Sequence, residues 1–189
     1  MFSYAAFPCY LQYQMVELEI FKVNQSVIWN GKQTDTTKEK RNNHARIHFT
    51  FICCQMFLKT QKGQEFLKTK QDKNNFLIGN LLPDTTKIKA RSHFRDPKYH
   101  DRMIEYPETS WFIKKYKHLL SNSSVVGYLF HLYIDRRFFK SYMPRIVEFR
   151  NAQDEREERR DMVKDVLLKR TGQRLSKQDF FSEKYYYGD

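Results

Sequence analysis

The chain has 189 residues, 40% hydrophobic and 16% aromatic, with only six glycines and five prolines. That composition excludes a disordered or fibrous chain, and the length favours one core over two full domains. The net charge of +12 is uneven: residues 44 to 100 hold eleven basic against four acidic side chains, a field that favours phosphate-bearing partners such as a small molecule or a lipid head group.

Residues 1 to 43 read as an appended or poorly ordered extension. The opening "MFSYAAFPCYLQYQMVELEIF" lacks a basic n-region and is interrupted by Gln and Glu, so it reads as a poor secretory signal, and "GKQTDTTKEKRNN" reads as a linker. Cys9, Cys53 and Cys54 form no Cys-x-x-Cys pair and no disulfide framework, which fits a reducing cytoplasm. No run approaches the ~20 apolar residues that span a bilayer, so a transmembrane segment is not expected. A soluble protein able to touch an anionic membrane peripherally is.

From His44 onward the apolar residues recur at three and four positions, which predicts an all-α fold, an irregular helical bundle with long loops over 44–189. The spacing predicts a helix from Ala45 to Thr60 and a second turn or helix through Leu67. "NNFLIGNLLPD" is a short apolar stretch stopped by Pro83, leaving Asp84 on a loop at a helix end. Residues 85 to 109 read as a long loop with short helical pieces, followed by a helix from Ser110 to Leu120. "SNSS" caps the next helix, Val125 to Lys140, which Pro144 ends. "AQDEREERRDMVKDVLLKRTG" has strong helical propensity, with acids and bases at four-residue spacing and Gly172 as its stop. The tail "FFSEKYYYGD" ends abruptly and reads as a possible truncation.

The chemistry lies in "GYLFHLYIDRRFF". Residues four apart on a helix share a face, so His131 and Asp135 point the same way, offering an imidazole nitrogen and a carboxylate oxygen of the kind that sits ~2.0 to 2.2 Å from zinc. Such a pair alone is common on helices. Asp84, His131 and Asp135, however, adjoin the apolar runs "FLIGNLLP" and "VVGYLF", and a carboxylate buried there without a counter-charge is costly. His93 in "RSHFRD" and His48 on the first helix are further candidates.

The segments "ARIHFTF", "NNFLIGNLLPDTTKIKARSHFR" and "VVGYLFHLYIDRRFFKSYMPRIVEF" resemble the small bacterial zinc-dependent phospholipase C-like proteins, distant relatives of phospholipase C and the P1-type nucleases. The resemblance implies an all-helical fold and a metal-dependent phosphoester hydrolase. It implies that Asp84, His93, His131 and Asp135 form a first zinc site, that Asp135 also reaches a second ion bound by His48, and that one or two zinc ions are held. Asp84 and Asp135 are then catalytic carboxylates around a metal-activated water. The chain departs from the larger enzymes in having no histidine after His131, so a three-metal cluster is not encoded. Arg91, Arg95, Arg136 and Arg137 flank the ligands and suit phosphate contact.

Two alternatives stand beside this reading. An HD-type phosphohydrolase would use His100 and Asp101, with His48 upstream and Asp135 downstream. A non-catalytic basic helical module would use only the charge of residues 44 to 100, without specific nucleic-acid recognition, because no helix-turn-helix or RNA-module signature is present.

Overall fold

The computed structural model describes residues 44–181. Helix α1 (His44–Lys59) and the short α2 (Gln61–Phe66) are followed by α3 (Lys70–Thr85). A capping box starts α3: Thr69 Oγ1 accepts from the Asp72 amide, and Asp72 Oδ2 accepts from the Thr69 amide. The short α4 (Lys89–Ser92) and a 3-10 turn (Pro97–Tyr99) interrupt the long connection that leads to α5 (Thr109–Tyr116). Helix α6 (Ser123–Arg137) begins at Asn122, whose Oδ1 accepts from the Ser124 amide at 2.9 Å, and runs into a π turn (Phe138–Tyr142) and α7 (Met143–Ile146).

Helices α3 and α6 are the most intimately packed pair among the described residues. Their cross-links advance in step: Ser123 Oγ donates to Asp72 Oδ1 at 3.1 Å, and the Asn80 side-chain amide donates to the Gly127 carbonyl at 3.3 Å. The two helices therefore run parallel. Their backbones approach so closely at two glycines that a Cβ on Gly127 would run into the Phe76 carbonyl, and one on Gly79 into the Ser124 carbonyl. Phe57, Phe76 and Phe130 stack beside this crossing with ring centroids 5.1 to 5.4 Å apart, and Cys53, Cys54, Leu67 and Val126 complete the cluster.

The fold is largely helical, but the all-α expectation needs correction. Strands β1 (Val147–Arg150), β2 (Asp165–Leu168) and β3 (Arg174–Ser176) form an antiparallel sheet, followed by the short α8 (Lys177–Phe180). Phe149 pairs with Val166 and Val166 with Leu175, and these side chains join Phe139, Met143, Val147, Val163 and Phe180 in a second core. The helix expected over 152–172 is thus turns and a strand. Pairs at four-residue spacing contribute only ~0.2 to 0.5 kcal/mol each, whereas burying an aliphatic side chain such as Val166 is worth ~1.5 to 3 kcal/mol. Gly172 does punctuate the chain, at φ 70 in the β2–β3 turn.

Asp84 also differs from expectation. It lies within the last turn of α3, because the helix continues through Pro83 to Thr85. The proline ring is buried there, and its carbonyl accepts from Ser92 Oγ at 2.8 Å, which ties α4 back onto the end of α3. The proposed extension 1–43 and the tail from 182 onward lie outside the described residues. Among the described residues, no helix is long and apolar enough to cross a membrane.

Candidate metal centre

The parallel crossing carries Asp84, at the C-terminal end of α3, alongside His131 on α6. The connection between these helices then returns His93, the residue that ends α4, to the same point. His93 Nε2 lies 3.2 Å from His131 Nε2, 3.4 Å from Asp84 Oδ1 and 3.4 Å from Asp135 Oδ2. His131 Nε2 lies 3.6 Å from Asp135 Oδ2 and 3.9 Å from Asp84 Oδ2. Both imidazoles are only 2% exposed, while the Asp84 and Asp135 side chains are 14% and 23% exposed, so solvent reaches the site from the carboxylate side. Asp84, His93 and His131 form a set whose ligand atoms all lie within 4.8 Å of one another.

These separations can be set against a zinc ion. Four ligands at ~2.0 to 2.1 Å in a tetrahedron stand ~3.3 Å from one another. The spacings of each imidazole to the other and to the two carboxylates, 3.2 to 3.9 Å, bracket that value, while only Asp84, His93 and His131 come together as one set within 4.8 Å. His93 Nδ1 lies 3.0 Å from the Lys89 carbonyl, the pairing that fixes the ring's proton on Nδ1 and turns a bare Nε2 lone pair inward. The Nε2 atoms of His93 and His131, meeting the Asp84 and Asp135 carboxylates, offer the donor types that a cation takes. The residues fit the group.

Electrostatics agree in direction. Burial alone would raise the Asp84 carboxyl, but the hydrogen bond with His93 and the positive charges of His131, His93 and Lys89 hold it well below the usual carboxylate range. For His131, burial dominates and lowers the imidazole pKa, against the attraction of Asp135 and Asp84. The depression of Asp84 counts on a charged His131, which burial opposes; we favour the neutral imidazole, because its ring is 2% exposed. His131 Nδ1 is buried without a partner of acceptable hydrogen-bond geometry, although the Asn80 backbone carbonyl acts on the ring as an acceptor would. That contact is a weak one.

The sequence named the four candidate residues but not the contacts that hold them. Tyr128 donates its hydroxyl to the Ser92 carbonyl at 2.7 Å, and Ser92 Oγ donates to Pro83, so the segment carrying His93 is clamped to both α3 and α6. Phe94, next in the chain, adopts φ 52 in the left-handed region, with its ring set edge-on to Phe112, Tyr116 and Tyr128. A non-glycine residue there is strained, and this aromatic packing offsets the cost. Tyr128 was legible in principle, since it sits one turn before His131 on the same face.

The other expected residues are placed differently. His48 lies on α1, and its side chain is outside the described residues. Arg136 donates to the Pro107 carbonyl at 2.6 Å and to Glu108 Oε1 at 2.9 Å and stacks over Tyr106, so it supports the loop before α5 instead of facing the ligands. Arg91 is exposed, and Arg95 is partly buried with its Nε unpartnered. Lys89, which the sequence reading did not single out, reaches Asp84 Oδ1 at 3.6 Å. His100 pairs with Glu105 at 2.7 Å, and the Asp101 carbonyl accepts from the Arg160 amide. Neither joins the cluster among the described residues.

Comparison of the chain with protein-family profiles, with curated proteins and with solved structures gave no match.

Proposed function

We propose that Asp84, His93, His131 and Asp135 hold a zinc ion and that the protein hydrolyses a phosphoester. The reading is carried by the meeting of two buried imidazoles with Asp84 within 4.8 Å, and by Asp135 Oδ2 at 3.4 and 3.6 Å from the two Nε2 atoms. A cation held there would lower the pKa of a bound water to ~7 and neutralise charge on phosphoryl oxygens.

The chain's own residues supply the rest. His93 and His131 present their Nε2 atoms from a dry wall, and burial favours the neutral form of His131. Asp135, the most exposed of the four, faces solvent and is placed to accept a proton from an attacking water. Lys89, beside Asp84 and 40% exposed, and the exposed Arg91 two residues on supply positive charge for a phosphate.

A second reading follows from the same distances: four protein ligands that all close on one ion leave no open position, and the metal is then structural. Metal quantification on the purified full chain, followed by assays on aryl phosphomonoesters and phosphodiesters, separates the two. One equivalent of zinc, lost in His93→Gln, together with chelator-sensitive hydrolysis supports the hydrolase. Zinc without hydrolysis supports the structural site, and no zinc at all defeats both.

A further inference from the structure

The face of α3 opposite the core is apolar where it should be polar. Phe76, Gly79, Asn80 and Pro83 face inward and are buried, which sends Ile78, Leu81, Leu82 and Thr85 outward along one stripe by helical spacing. Ile78 is 56% exposed and Leu82 41% exposed, with Leu81 close behind. Just beyond the helix, Ile88 is 65% exposed, the most of any large hydrophobic residue among those described. Single exposed aliphatics need no explanation, but four within eleven residues make a patch of the kind that marks an interaction site.

The patch is bordered by cations. Lys87 and Arg91 are exposed and Lys89 is partly so, all within the segment that carries Ile88. They belong to the stretch 44 to 100 in which basic side chains outnumber acidic ones by seven. Aliphatic side chains set among lysine and arginine match the layered chemistry of a bilayer surface, where acyl chains lie beneath anionic head groups.

We infer that the outer face of α3 and the α3–α4 turn, through Ile78, Leu81, Leu82 and Ile88 with Lys87, Lys89 and Arg91, dock this protein on an anionic membrane surface. The occupant is a lipid surface rather than a second copy of the chain because, although Lys89 pairs with Asp84, the exposed Lys87 and Arg91 have no ion-pair partner among the described residues, so a two-fold contact would set like charges against each other. The inference stands whether or not a metal occupies the neighbouring site.

The test is co-sedimentation of the full chain, with and without zinc, on vesicles of phosphatidylcholine alone and of phosphatidylcholine with about 30% phosphatidylserine. Binding is expected on the anionic vesicles, weakening as salt rises. The triple variant Ile78→Ser, Leu82→Ser, Ile88→Ser should bind at least about tenfold more weakly, with an unchanged circular dichroism spectrum because none of the three side chains is buried. Lys87→Glu with Arg91→Glu should abolish the preference for anionic vesicles. The proposal is overturned if the parent fails to bind, if the triple variant binds as well as the parent, or if the parent sediments as a dimer that the triple variant loses.

Discussion

Replacing Gly127 with alanine tests the helix crossing that assembles the site. Two effects of opposite sign compete. Alanine is a better helix former than glycine by ~0.8 to 1.0 kcal/mol, yet its Cβ would run into the Phe76 carbonyl and crowd the Asn80 amide. Those neighbours are helical backbone, with no rotamer to swing away. Overpacking costs ~1 to 3 kcal/mol, and rigid neighbours place this case at the upper end. The net expectation is a loss of about 2 kcal/mol, or a fall of ~4 to 8 °C in melting temperature for a chain of this size. The helices must also part, moving Asp84 away from His131, and a ligand shift of ~0.5 Å or more degrades a metal site. Zinc affinity should therefore fall at least about tenfold although no ligand is removed. Urea unfolding gives the first quantity and competition with a chromogenic chelator the second. Gly172→Ala is the control: its φ of 70 makes alanine costly, by ~1 to 2 kcal/mol, but open space surrounds it far along the chain from the ligands, so zinc affinity should hold. A Gly127→Ala protein that is as stable as the parent and binds zinc equally would refute the close crossing.

Other consequences can be measured separately. Zinc at about 100 times its dissociation constant should stabilise the parent by ~2.7 kcal/mol, seen as a rise in melting temperature that a chelator reverses and Asp84→Asn abolishes. Tyr128→Phe removes the hydrogen bond to the Ser92 carbonyl; it should cost ~1 kcal/mol of stability and weaken zinc binding about tenfold, and an unaltered affinity would show that the clamp does not position His93. Burial pushes the Cys53 thiol up to about 12 and Cys54 higher still. The unfolded chain gives up these protons near pH ~8.5 and the folded one does not, so this stabilisation is complete below that pH and is lost as pH rises toward the folded value. Urea midpoints between pH 8 and 10.5 should fall more steeply for the parent than for a Cys53→Ala, Cys54→Ala variant, and both thiols should resist alkylation until the chain unfolds.

The pairing of His131 with Asp135 was legible because a helix fixes it locally: four residues make about one turn whatever surrounds them. The same applies to α1, to α5 and to the start of α6 at its Asn122 cap, where short-range hydrogen bonds and apolar period suffice. Asp84 and His93 were candidates by residue type and neighbouring apolar runs, but only a resemblance in the order of residues joined them to His131 and Asp135 as one site, and the expectation that Asp84 sits on a loop failed because a buried Pro83 tied to Ser92 lets the helix run on. The segment 152–172 failed for a related reason. Its helical propensity was real, but Val166 gains more by pairing between Phe149 and Leu175 than by joining a solvated helix.

By itself, then, the sequence determined most of the helical elements, the uneven positive charge and the shared face of His131 and Asp135, since each depends on composition or on neighbours a few residues apart. The tertiary structure alone decided that α3 and α6 run parallel through Gly79 and Gly127, that Ser92 and Tyr128 hold His93 against them, and that Arg136 turns to Glu108. Asp84 and His131 are forty-seven positions apart, and no periodicity within either segment encodes their separation in space. It is set by how closely two backbones can approach once their side chains have been removed from the way.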